Sequence, residues 1–243
     1  GTIFSYLYNE GKVSAVKIAQ IAQYAENVYF GKPSGLMDQM ASSVGGFITI
    51  DFKDTENPVI DAISYDFSAS GYSLCIVDTK GNHADLTPEY AAIPVEMKSV
   101  AKFFGKSELR DITKEQLIEN IAEVRKACGD RAVARAFHFF DGDINGFLKL
   151  VTESGNSSFK YLQNIFATKA PHEQGLVIGL YMSENILAGR GAVRVHGGGF
   201  AGTLQAYVPA KQLDAFVSGI EAVFGPGSCH IMSIRPRGGI QLA

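Results

Sequence analysis

Between residues 192 and 208 the chain reads as strand, glycine-rich loop, strand, and this stretch constrains the fold more than any other. Ala192 to His196 and Thr203 to Val208 are short strand-like runs on either side of Gly197-Gly198-Gly199-Phe200-Ala201-Gly202. The loop contains G-x-G-x-x-G, which in a dinucleotide-binding unit opens a helix. Here a strand pattern follows and no βαβ unit surrounds the loop, which argues against a Rossmann fold. Two readings stay open. Glycines without Cβ can form a concave turn whose N–H groups bind an anion or pack against another phosphate loop, or they can be a flexible hairpin connection.

The rest of the chain is dominated by helical periodicity. Apolar positions from Val13 to Phe30 recur at steps of three and four, and Gly31 and Pro33 stop that helix. Ser34 is expected to cap a short helix over 35–44, ended by Gly45-Gly46 before a strand from Phe47 to Phe52. Asn57-Pro58 breaks the chain, and Ile60 to Phe67 forms another strand. The small polar stretch from Ser68 to Gly71 is read as a linker, which gives domains of 1–68 and 69–243. In the second domain Tyr72 to Asp78 is a buried strand, and 79–86 is a polar loop with Gly81, Asn82, His83 and Asp85. Thr87-Pro88-Glu89 opens a helix that runs to Phe104. Helices are predicted over Lys114–Cys128, Ala132–Val151 and Ser158–Ala188, with Gly142, Gly146 and Pro171 as irregularities or ends. A helix over 210–224 and a strand from His230 to Arg235 complete an α+β chain.

Composition narrows the function classes. With 22 basic and 25 acidic side chains the net charge is −3, so no global field favours nucleic acid or an anionic membrane. Cys75, Cys128 and Cys229 are too few and too scattered for a disulfide framework or a zinc site, and they suit a reduced, cytoplasmic compartment. No apolar run is long enough to span a bilayer, and no signal-peptide pattern stands at the start. The first residue is Gly1, and Thr2 to Tyr8 reads as helix interior with no capping residue, so the chain is expected to begin inside an element.

Three features can carry chemistry. Asp38, in Gly35-Leu36-Met37-Asp38-Gln39-Met40, sits early in a short helix, where the helix N-terminus favours its ionised form. A carboxylate there is either a base or acceptor aimed at a substrate hydroxyl or an acid that stabilises its own helix. The glycine loop is the second. Tyr90 is the third, its phenol serving a polar ligand or the core. His83, His138, His172, His196 and His230 show no H-x-x-x-H spacing, which argues against a protein-ligated metal, and no G-x-S-x-G elbow supports a hydrolase triad.

Ala25-Glu26-Asn27 leading to Gly35-Leu36-Met37-Asp38-Gln39, then Pro88-Glu89-Tyr90, then Gly197 to Gly202 together resemble the galactokinases of the GHMP kinase superfamily over nearly the whole chain. The resemblance implies a GHMP-kinase-like fold: a remnant of the N-terminal lobe followed by an α/β sandwich C-terminal domain. It also implies phosphoryl transfer from MgATP to the anomeric hydroxyl of galactose. By the same resemblance Asp38 is the catalytic base, Gly35, Asp38 and Tyr90 bind the sugar, and Gly197, Gly198, Gly199 and Gly202 form the third glycine motif near the nucleotide.

The family's first sugar motif and its Gly- and Ser-rich ATP phosphate loop lie nowhere in these residues. The resemblance thus predicts a C-terminal portion that starts just downstream of that loop, with the ATP and Mg²⁺ ligands outside it and no activity on its own. Gly81-Asn82-His83-Ala84-Asp85 and Tyr161-Leu162 depart from the family pattern. The alternatives are a non-catalytic kinase-like galactose sensor, or a GHMP kinase for another substrate such as N-acetylgalactosamine or mevalonate.

Overall fold

The computed structural model describes residues 1–65, 69–81, 87–140 and 147–242. They divide into two units, Gly1–Asp66 with Ser233–Ala243, and Phe67–Met232.

In the first unit α1 (Thr2–Asn9) starts at Gly1 without a side-chain cap, while α2 (Ala15–Tyr24) is capped by Ser14, whose hydroxyl accepts from the Lys17 N–H. The helical period continues past α2 as a π-helical turn over Ala25–Tyr29. α3 (Met37–Val44) begins two residues later than expected and takes Leu36 as its cap. Ser34 is therefore not a cap; its hydroxyl faces Glu26 and Asn27 instead. Leu36 and Met40 are buried and meet Ala19 of α2, so the Leu36/Met40 face of α3 is its core face. An antiparallel hairpin of β1 (Phe47–Asp51) and β2 (Val59–Ile63) closes the unit.

Residues 233–243 group with this unit as well. Glycines make the return possible. The Gly46 N–H donates to the Arg235 carbonyl and the Gly238 N–H to the Val44 carbonyl, at 2.8 and 3.0 Å. A Cβ on Gly238 would stand 1.7 Å from the Ser43 carbonyl oxygen, so only glycine lets the two backbones approach this closely.

The second unit is built on an antiparallel sheet in the order β4-β5-β3-β6, from β3 (Tyr72–Asp78), β4 (Ala192–Val195), β5 (Thr203–Pro209) and β6 (Cys229–Met232). Alternation along β3, β4 and β5 sorts the side chains by face. Cys75, Val77, Val193, Val195, Leu204 and Ala206 pack with α9 (Gly175–Leu187) and α10 (Leu213–Phe224). Leu74, Ala192 and Tyr207 pack with Val151 of α8 (Phe147–Ser157) on the other face.

A separate helical layer of α4 (Thr87–Phe103), α5 (Lys114–Glu119), α6 (Ile121–Cys128) and α7 (Asp130–Phe140) has its own core around Val100, Leu117, Val124 and Ala136. Two long helices of the sequence reading are shorter here. Lys114–Cys128 breaks at Asn120, and Ser158–Ala188 is a π-helical turn (Ser158–Leu162), an irregular stretch and then α9. Gln163, at φ 58° in the left-handed region, ends the turn. Ser68 of the predicted linker, residues 82–86 of the polar loop with His83, and Gly142 and Gly146 lie outside the described residues.

Candidate functional site

The first-unit site is the turn that leads into α3. Five side chains lock it. The Glu26 carboxylate accepts from Lys32 Nζ at 2.8 Å and Gln39 Nε2 at 2.6 Å, and lies 3.0 Å from the Ser34 hydroxyl. Asn27 Oδ1 takes the Ser34 N–H at 2.8 Å. The ammonium of Lys32, then the Ser34 hydroxyl, hold the Glu26 carboxyl below its ordinary value. With the turn so braced and Met40 anchored below, Gly35 and Asp38 are exposed at the start of α3.

Asp38 lines a cleft of about 450 Å³ together with Thr2, Glu26, Gln39, Ser42 and Arg235. Sequence reading singled out Asp38 but not Glu26 or Arg235 as neighbours in the cleft. Glu26 had a signal, the Ala25-Glu26-Asn27 segment, whereas Arg235 arrives only through the returning C-terminal segment.

The second-unit site is the loop between β4 and β5. It is a hairpin connection, and it is also a shaped one: Gly197, Gly199 and Gly202 all have positive φ, as does Phe200 at 59°. Tyr90, from the first turns of α4, covers it. Its hydroxyl donates to the Gly199 carbonyl at 2.6 Å, and its ring meets Phe200 edge-on at 5.3 Å. Burial pushes the phenol pKa up. Gly198 must be glycine, since a Cβ there would lie 2.2 Å from the Tyr90 ring. The exposed Gly197 and Gly198 keep N–H groups that have no acceptor among the described residues, which suits an anion. Thr79 closes the far end, donating both N–H and hydroxyl to the Gly202 carbonyl.

Tyr90 and the four glycines are thus brought together in one unit, and Gly35 and Asp38 in the other. Among the described residues no group of three or more His, Cys, Asp or Glu side chains is placed to hold a metal.

No family model matches the chain. A galactokinase of Actinobacillus pleuropneumoniae is 28% identical over 216 residues, covering 83% of this chain and 53% of the relative. The crystal structure of Lactococcus lactis galactokinase complexed with galactose superposes with a TM-score of 0.74 at 19% identity, over 99% of this chain and 64% of that one. The chain is a galactokinase homologue with the GHMP kinase fold. The fold extends to other members: L. major mevalonate kinase in complex with R-mevalonate superposes with a TM-score of 0.55 at 17% identity, over 97% of this chain and 63% of that one. The chain spans about half the length of the curated galactokinases it matches. No helix among the described residues is long and apolar enough to cross a membrane.

Proposed function

We propose that the protein carrying this chain is a galactokinase that transfers the γ-phosphoryl group of ATP to the anomeric hydroxyl of galactose. The observation that supports this most is the exposed carboxylate of Asp38 lining a first-unit cleft, in a chain similar to galactokinases over most of its length. Phosphoryl transfer asks mainly for positioning and charge stabilisation, with one carboxylate to orient or deprotonate the attacking hydroxyl. Asp38 takes the proton of the anomeric hydroxyl; that oxygen bonds to the γ-phosphorus, the bond to the β–γ bridging oxygen breaks, and ADP leaves with the electron pair.

Gly35 and Tyr90 are assigned to the sugar, and the loop with Gly197, Gly198, Gly199 and Gly202 to the phosphate side. Glu26 lines the same cleft as Asp38 but its carboxylate is engaged by Lys32, Ser34 and Gln39, so Mg²⁺, which would neutralise phosphate charge, is assigned to ligands outside this chain. The free cysteines accord with a cytoplasmic setting.

The test is a coupled assay of ADP release with galactose, N-acetylgalactosamine and mevalonate. It is run on the 243-residue chain and on the whole gene product that carries it. Turnover is expected with galactose in the gene product and none in the chain alone. A preference for mevalonate, or galactose binding without any turnover, would overturn the assignment, the latter in favour of a sensor.

A further inference from the structure

The glycine loop is gripped from a second side, by Asn164. This residue follows the left-handed Gln163 and is 1% exposed. Its carbonyl accepts the Phe200 N–H at 2.5 Å, and its side-chain Nδ2 donates to the Gly198 carbonyl at 3.0 Å. A Cβ on Gly199 would stand 2.0 Å from the same Asn164 carbonyl oxygen. Three consecutive loop residues are therefore pinned by Asn164 on one side while the Tyr90 ring and hydroxyl pin Gly198 and Gly199 from the other.

Asn164 Oδ1 is buried and has no hydrogen-bond partner among the described residues. An amide that served packing alone would be better replaced by an apolar side chain of the same size. Its donor is what the fold retains.

The segment that carries Asn164 is itself anchored. Arg135 of α7, 1% exposed, donates Nε to the Leu162 carbonyl at 3.2 Å and NH1 to Glu96 Oε2 at 2.9 Å. Glu96 lies on α4, the helix that also carries Tyr90. One helix thus reaches the loop twice, directly through Tyr90 and indirectly through Glu96, Arg135 and Asn164. A conformation fixed at so many points holds positive φ at Gly199 and Phe200 and keeps the Gly197 and Gly198 N–H groups on the exposed side.

We infer that Asn164 is a positioning residue that sets the shape of the glycine loop and, through it, the affinity for the phosphate-bearing substrate. The second half of this inference rests on the kinase reading above. Two variants test it. Asn164→Leu keeps the volume and removes the unpartnered oxygen, and Asn164→Asp keeps the shape but loses the donor.

In the 243-residue chain, amide hydrogen exchange at Phe200 and Ala201, the loop N–H groups with acceptors, is expected to quicken at least tenfold in Asn164→Leu, with no fall in melting temperature. In the gene product, both variants are expected to raise KM for ATP at least fivefold and leave KM for galactose unchanged, a split that a general loss of stability does not produce. Unchanged exchange at Phe200 and Ala201 would overturn the clamp. An active wild type whose variants keep the ATP parameters would overturn the positioning role. If the wild type phosphorylates no sugar, the kinase reading has failed, and the exchange measurement alone decides the clamp.

Discussion

Gln39 donates a 2.6 Å hydrogen bond to Glu26 and so ties the first turn of α3 to the π-helical turn that follows α2. Thirteen residues separate the pair, and the Gly31–Gly35 turn is strung between them. Glu26 also gathers Lys32 and Ser34, so one carboxylate decides the shape of the segment that presents Gly35 and Asp38.

That carboxylate gives the turn a pH dependence. The folded pKa of Glu26 lies below its ordinary 4.5, chiefly through Lys32. Its contribution is therefore fully present above about pH 4.5 and is lost as pH falls through the lower folded value. Amide exchange at residues 31–36, corrected for the intrinsic rate, is expected to quicken between pH 5 and pH 3, and Glu26→Gln is expected to abolish that step. A step that survives in the variant would assign the titration to another group.

Asp38→Asn tests the proton acceptor. The amide keeps hydrogen bonding but cannot take a proton, so kcat of the gene product should fall by about 100-fold or more while galactose binding is retained. Because the side chain is exposed and makes no hydrogen bond among the described residues, the melting temperature of the chain should hardly change. Undiminished turnover would reduce Asp38 to an acid at a helix start.

Tyr90→Phe separates two roles. Loss of the bond to Gly199 should lower the stability of the second unit by about 1 kcal/mol, read by urea unfolding of the chain. The sugar role adds a loss of about 1 kcal/mol in galactose affinity of the gene product. A stability loss with unaltered affinity would leave Tyr90 serving the loop alone.

Gly199→Ala should be the most damaging single change in the loop. Its φ of 80° is unfavourable for alanine, and the new methyl would collide with the Asn164 carbonyl. A loss of about 2 kcal/mol or more is expected from the two effects together. Denaturant unfolding followed by fluorescence measures it, and a neutral result would show that the loop can readjust.

Much of this architecture was legible in the order of residues, and the parts that were not share a cause. The β4–β5 hairpin, the start of α4 and the helical period of α2 follow from local patterns, because strand alternation and helix periodicity are set by neighbours within a few positions. Asp38 was legible as an acid at a helix start for the same reason. Ser34 misled. A serine before a helix ordinarily caps it, but Glu26 and Asn27 offered competing partners, and the cap passed to Leu36. Asn120 was also missed, since nothing in the apolar pattern across it marks the break between α5 and α6.

The amino-acid sequence by itself determined the α+β class, the glycine loop between two strands and the exposed acid at the head of α3, all consequences of short-range pattern and of what glycine and proline permit. Only the tertiary structure decided that Asn164 and Tyr90 close on Gly198 and Gly199, that Arg135 braces Asn164's segment, and that Arg235 joins Asp38 in one cleft. Those partners lie from 27 to 197 positions apart. A hydrogen bond or an excluded Cβ between such residues depends on how helices and sheet pack, and no local periodicity records that.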